Sequence, residues 1–120
     1  MAYTSNVASS TGLAKGVLCY NSGSDMVVST GPTEGPILIV AETCAAGAYP
    51  VLASIGESVE IVTNGSVAVN SVVTSTTAGA ARAAAYTGST AGWSVGFAQN
   101  ADVNSTGRVV YLPQRHGVIA

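Results

Sequence analysis

The sequence predicts an all-β fold, a single small domain of short strands, and three observations predict it. The apolar residues are of a small and β-branched kind: Ala supplies 19 and Val 17, whereas Leu and Ile together supply 10. Val packs well on a pleated surface and Ala takes little room, so this composition fills thin interiors between sheets. Ser and Thr add 26 residues and Gly 14, the composition of many turns. Strand-like runs then arrive at short intervals between Gly, Pro and Asn, and no segment sustains a helical period over three turns. At 120 residues the chain fits one domain that can bury a core without staples.

Taken in order, the runs place strands at residues 16–20, 26–29, 37–42, 50–53, 58–63, 67–70, 72–75, 93–98 and 108–112. Pro32, Pro36 and Pro50 fall at the edges of these runs, where a missing N–H does no harm. Residues 80–85, Ala-Ala-Arg-Ala-Ala-Ala, form either a helix too short to stand alone or a small-residue strand. Asn64-Gly65 is a hairpin-turn dipeptide. A three-residue loop over 64–66 would pair Ile61 with Val69 and unite Val59, Ile61, Val67 and Val69 on one face, with Gly65 left-handed. An echo at an offset of 57 residues aligns Gly35-Pro36-Ile37-Leu38-Ile39-Val40-Ala41-Glu42 with Gly92-Trp93-Ser94-Val95-Gly96-Phe97-Ala98-Gln99. It reads as two similar strands of one sheet system.

Charge is scarce. Only 8% of the chain is Asp, Glu, Lys or Arg, against roughly 25% in an average soluble domain, while 48% is apolar. Either Ser, Thr, Asn and Gly solvate the surface, or other protein covers much of it. One Lys and three Arg form no basic stripe for phosphate, which argues against nucleic acid as a partner. No apolar run approaches the roughly 18 residues of a membrane span. Residues 1–7 lack the cationic and apolar regions of a secretory signal, so the two Asn-x-Ser/Thr sequons carry little meaning. Cys19 and Cys44 read as free thiols in such a chain.

The search for catalytic chemistry returns little, and the expectation is no enzyme, no metal, no cofactor and no small-molecule substrate. His116, the only histidine, reads as an exposed tail residue without ligand spacing around it. Glu57 and Glu60 would point to opposite faces of a strand, so no acid–base pair is suggested. No Ser sits in a Gly-x-Ser-x-Gly elbow with a plausible His partner, and residues 12–16 have the wrong spacing for a phosphate loop. Trp93 and Phe97 lie on one face of one strand and are expected as the largest core pieces; an exposed aromatic platform is the alternative. Residues 1–13 form an uncharged leader up to Leu13, anchored by Tyr3, Val7 and Leu13 and expected to be mobile in the free protein. It is either a frayed terminus or an arm that docks on a partner. The expected organisation is arm 1–13, β domain 14–113 and tail 114–120.

In the order of its features the chain resembles the capsid decoration (cement) proteins of tailed bacteriophages. The residues that carry the resemblance are Lys15-Gly16-Val17-Leu18, Gly35 through Ala41, Ala45-Ala46-Gly47, the turn at Gly65, and Ala78 through Arg82. The closing pair Gly92 through Ala98 and Gly107 through Leu112 completes it. Pro36-Ile37-Leu38-Ile39 and the Pro-Gln-Arg-His tail depart from that pattern. The resemblance implies a compact β-barrel or β-tulip domain, made in the host cytoplasm and bound to the outer capsid surface, commonly as a homotrimer. It implies the major capsid protein as partner, bridging of neighbouring capsid subunits, residues 2–13 as an arm that adds a strand, and a strand at 80–85. The rival expectation is a β-sandwich recognition module, a head-fibre base or sugar-binding domain, using Trp93 and the tyrosines. A small hydrolase built on Asp102 or His116 is a third, remote reading.

Overall fold

The computed structural model describes residues 2–120; of the expected arm, Met1 lies outside the described residues. Ten strands follow one another: β1 (Tyr3–Thr4), β2 (Leu18–Asn21), β3 (Met26–Val28), β4 (Leu38–Glu42), β5 (Val51–Leu52), β6 (Ser58–Val62), β7 (Val72–Ser75), β8 (Ala81–Ala83), β9 (Gly92–Ala98) and β10 (Thr106–His116). They make two antiparallel sheets, ordered β1-β5-β4-β2-β3 and β6-β10-β9-β7-β8. The described residues contain no helix. The all-β expectation holds, and residues 81–83 of the ambiguous Ala-rich segment are strand. The expected barrel is corrected: two sheets, each with two ends to its strand order, do not close on themselves.

All the expected strands form but one. Residues 67–70 are not a strand, and the hairpin that would have paired Ile61 with Val69 is absent, because β6 pairs with β10 instead (Ile61↔Gly107, Val59↔Val109). The Asp102 carboxylate explains the difference. It accepts hydrogen bonds from the Thr63 hydroxyl and from the Val67 N–H, 3.2 Å away, so residues 63–67 are tied across to that side chain rather than run back along β6. Gly65 is left-handed as expected (φ 94°), and Asn64 turns the chain by accepting the Ser66 N–H.

The two sheets are one sheet built twice. The pair Tyr3↔Leu52 answers to Val59↔Val109, Leu18↔Ile39 to Val72↔Phe97, Cys19↔Val28 to Val73↔Ala83, and Val40↔Leu52 to Ala98↔Val109. Every ladder of the first half thus recurs in the second. The loops repeat too: Gly16 donates to the Val40 carbonyl and Asn70 to the Ala98 carbonyl, both at 2.8 Å. Gly16 (φ 83°) and Asn70 (φ 65°) share a left-handed backbone at the same place in the two halves. The 57-residue echo was therefore a trace of a whole repeat. Its strands lie in different sheets, and the structural register places Ile39 opposite Phe97 in the comparison, one residue from the alignment suggested by the shared Gly and Ala.

The repeat organises the core. On one face of the first sheet Cys19, Met26, Val40 and Leu52 pack with Leu13. Their counterparts, Val73, Ala81, Ala98, Val109 and Val67, are also buried together. The second cluster is larger because the opposite face of the first sheet, Leu18 and Ile39 with Ile37 and Ala53, packs into it. The first sheet is thus apolar on both sides. Tyr111 joins the halves further, its buried hydroxyl donating to the Ile37 carbonyl at 2.7 Å.

Both expected termini are corrected. Residues 2–13 are laid along the first sheet instead of extending freely: Ser5 donates to the Pro50 carbonyl, Ser9 exchanges bonds with Ala48 and Gly47, and Leu13 bridges Cys44. Residues 114–116 continue β10, and Ala120 exchanges two backbone hydrogen bonds with Ala85 while Ile119 is buried. Buried backbone must find partners, and these ends find theirs on the sheets. Ser9, at 0% exposure, has a hydroxyl without a hydrogen-bond partner, whereas the Thr63 hydroxyl at the same place in the second half is held by Asp102.

Candidate functional site

Of the expected arm anchors, Tyr3 is half-exposed on β1, Val7 is half-buried against the first core cluster and Leu13 is a member of it. The two aromatics of β9 part company. Trp93 is half-buried against the larger core cluster, lying over Gly35 so closely that a Cβ there would meet its ring at 2.6 Å. Phe97 is 38% exposed, which corrects its expected place in the core. It occupies the position that Ile39 fills in the first half, but at an exposed end of its face, where Val95 and Thr74 further along are fully buried. With Trp93 packed rather than presented, Trp93→Ala is expected to cost about 2 kcal/mol, below the range for a fully buried Trp. Urea unfolding checks it, and an unchanged midpoint would show the ring to be idle in the fold.

His116 is a strand residue rather than a tail residue. Its Nε2 lies 2.8 Å from the Ser94 hydroxyl, and Tyr86 stacks obliquely on its ring at 5.1 Å. A Ser–His contact is the start of a nucleophilic pair, but a nucleophile must be reachable and its histidine oriented by a third group. Ser94 is 2% exposed and also reaches the Gln114 carbonyl, so the contact clasps the end of β10 to β9. Twenty-two residues separate the pair, and the sequence does mark its serine. Gly92-Trp93-Ser94-Val95-Gly96 is a Gly-x-Ser-x-Gly pattern, here running along β9 instead of turning from strand to helix, and His116 corrects the expectation that no such serine has a histidine partner. Asp102 is engaged by Thr63 and Val67, as described. Among the described residues no group of three or more His, Cys, Asp or Glu could hold a metal ion. Cys19 and Cys44 are free, and burial pushes the Cys19 thiol up to about 12, far from a reactive thiolate.

Two carboxylates are tuned by hydroxyl donors. The Ser10 hydroxyl and N–H hold Asp25 below the usual aspartate value, at 2.6 and 2.8 Å; Thr30 and then Tyr20 do the same for Glu34. A carboxylate whose folded value is depressed stabilises fully above its unfolded value and loses that contribution as pH falls through the folded one. Thermal stability is therefore expected to hold from pH 7 to about pH 5 and to decline toward pH 2. Asp25→Ala removes the staple on the N-terminal segment, so the Ser10 amide should exchange faster at neutral pH. Unchanged exchange would show that the staple is idle.

What remains is surface. Half of the chain's ten charged residues, Lys15, Glu42, Glu57, Glu60 and Arg108, line one cleft of about 290 Å³. Elsewhere several large apolar side chains reach the surface. Ile55 is 73% exposed, Val103 68%, and Tyr49, Tyr86 and Val69 each exceed half. On one face of the second sheet Val72, Phe97 and Val110 stand side by side across β7, β9 and β10, Phe97 exposed and the two valines half-buried. On the first sheet a groove of about 430 Å³ opens between Tyr3, Asn21, Met26, Leu38 and Leu52. No protein-family model matches the chain, and comparison with curated proteins and with solved structures finds no match. The surface itself carries the functional argument.

Proposed function

We propose that the protein is a structural, non-enzymatic capsid decoration protein. It binds the outer surface of an assembled phage head as a homotrimer and stabilises it by bridging major capsid protein subunits. A β-tulip description of its two five-stranded halves belongs to the same proposal. The observation that carries it is the pairing of scarce charge with exposed large apolar side chains, since a surface of that kind is suited to lying against other protein. The resemblance in feature order supplies the partner. Residues 2–13 support it as well: β1 is two residues long and forms the outer strand of the first sheet, where backbone bonding to an added strand needs no charge. The aromatic-platform alternative draws less support, because Trp93 packs against the core and Gly35.

Co-sedimentation with expanded, undecorated heads tests the reading. Binding, with heads more fragile when the protein is omitted, is expected; absence of both ends the proposal. The arm is tested by removing residues 1–4, a cut that takes away β1 but leaves Val7, Leu13 and their cluster in place. Weaker pelleting with an unchanged circular dichroism spectrum is expected, and equal pelleting would remove the arm from the capsid contact.

A further inference from the structure

One latch of the second half recurs in the first with a single acceptor exchanged. In the second half Asp102 donates its N–H to the Val67 carbonyl at 3.0 Å, and its carboxylate accepts the Thr63 hydroxyl at 2.5 Å. In the first half Cys44 donates its N–H to the Leu13 carbonyl at 2.8 Å. Leu13 answers to Val67 and Ser9 to Thr63, so Cys44 answers to Asp102. The backbone beside the pair repeats too: Ser9 donates to the Ala48 carbonyl and Thr63 to the Ser105 carbonyl, both at 2.9 Å. Only the side chain at the acceptor position differs. The Cys44 Sγ lies 3.8 Å from that same Ala48 carbonyl and 3.4 Å from the Ala45 carbonyl. The Ser9 hydroxyl, at 0% exposure, has no partner. A thiol sulfur is a weak acceptor, so a buried hydroxyl stands unanswered where its twin meets an ionised carboxylate.

We propose that Cys44 is a site of oxidation to the sulfinate, which accepts the Ser9 hydroxyl and closes the latch that Thr63 and Asp102 close in the second half. A sulfinate carries two oxygens and one negative charge on the atom bonded to Cβ, as an aspartate does. One oxygen takes Ser9. The other needs no backbone donor, because the Leu13 N–H is already held by the Cys44 carbonyl at 3.0 Å and Cys44 is half-exposed to water. The oxidant is hydrogen peroxide, and two molecules are consumed. In each step a sulfur lone pair attacks one peroxide oxygen, the O–O bond breaks and an S–O bond forms. Sulfur gives up two electrons; the departing oxygen collects the proton of the thiol, then of the sulfenic acid, and leaves as water. The resulting sulfinic acid releases its proton to solvent. Cys19 does not compete, being at 0% exposure with its thiol pushed by burial up to about 12. The inference concerns the protein alone and stands or falls independently of any capsid.

Treating the wild-type protein with hydrogen peroxide tests it, read by peptide mass mapping and by amide exchange. Two oxygens are expected on Cys44 and none on Cys19. The Ser9 and Leu13 amides of the oxidised protein should then exchange about tenfold more slowly, the effect of one hydrogen bond gained to a charged group. Ser9→Ala, oxidised in the same way, should show no slowing. Cys44→Asp supplies a carboxylate without any oxidant and should slow the same amides to a similar degree, again only while Ser9 is present. A Cys44 that stays reduced, pairs with Cys19 or runs on to the sulfonate would overturn the proposal. So would a sulfinate or a Cys44→Asp carboxylate that leaves these amides unchanged or faster, or a slowing that persists in Ser9→Ala.

Discussion

Gly96→Ala is expected to cost at least about 3 kcal/mol, the range of severe overpacking. A Cβ at this position would lie 1.8 Å from the Val110 carbonyl oxygen and 3.0 Å from the Leu112 nitrogen, and φ there is +153°. Both obstructing atoms are backbone, so no rotamer change relieves the clash. Nor can β10 simply retreat, since its register against β9 shifts between Tyr111 and Gln114 and its outer side is paired to β6. For a chain of this length the loss corresponds to a fall in Tm of roughly 10 °C or more. Gly117→Ala, where nothing lies within 4 Å, supplies the control and should change stability by less than about 0.5 kcal/mol. A Gly96→Ala protein melting within a few degrees of wild type would show that the β9–β10 spacing relaxes easily.

The second large effect is a contrast between equivalent residues. Ile39→Ala should cost about 3–4 kcal/mol, because the side chain is fully buried between the sheets and its removal leaves a cavity in a core that cannot collapse freely. Phe97→Ala, at the same place in the second half, should cost less than about 1 kcal/mol in dilute solution despite removing a larger side chain. Urea midpoints of the two variants at low protein concentration measure the difference. Comparable losses would mean that Phe97 is covered within the chain and that the layering described above is wrong.

Strand positions were legible because Val-rich runs between Gly and Pro have few alternatives at this length. Their partners were less so. Asn64-Gly65 carried the strongest hairpin signal in the chain, yet β6 pairs with β10, because a carboxylate 35 residues beyond Val67 captures the loop. No local rule reads Asp102 from there. Phe97 was misplaced for a related reason. Spacing put it on the same face as Trp93, but how far along the strand that face is covered depends on the rest of the molecule: Trp93 and Val95 are packed and Phe97 is not. The repeat left a fragment of itself in sequence. Ala, Val and Gly substitute for one another in a sheet while the backbone register persists, so geometry retained what side chains had lost.

The solitary hydroxyl of Ser9 bears on how the molecule breathes. In the second half the corresponding strand entry is fastened by Thr63 to Asp102; in the first, Ser9 is desolvated with nothing in return, and β1 is short beside β6. Opening of the N-terminal edge should therefore require less free energy than opening of its twin, and native-state amide exchange should reach Ser5 and Ser9 well before Val62 and Thr63. Two segments of one design would then differ in kinetic protection. The looser one is also the segment that holds Tyr3 at the mouth of the groove.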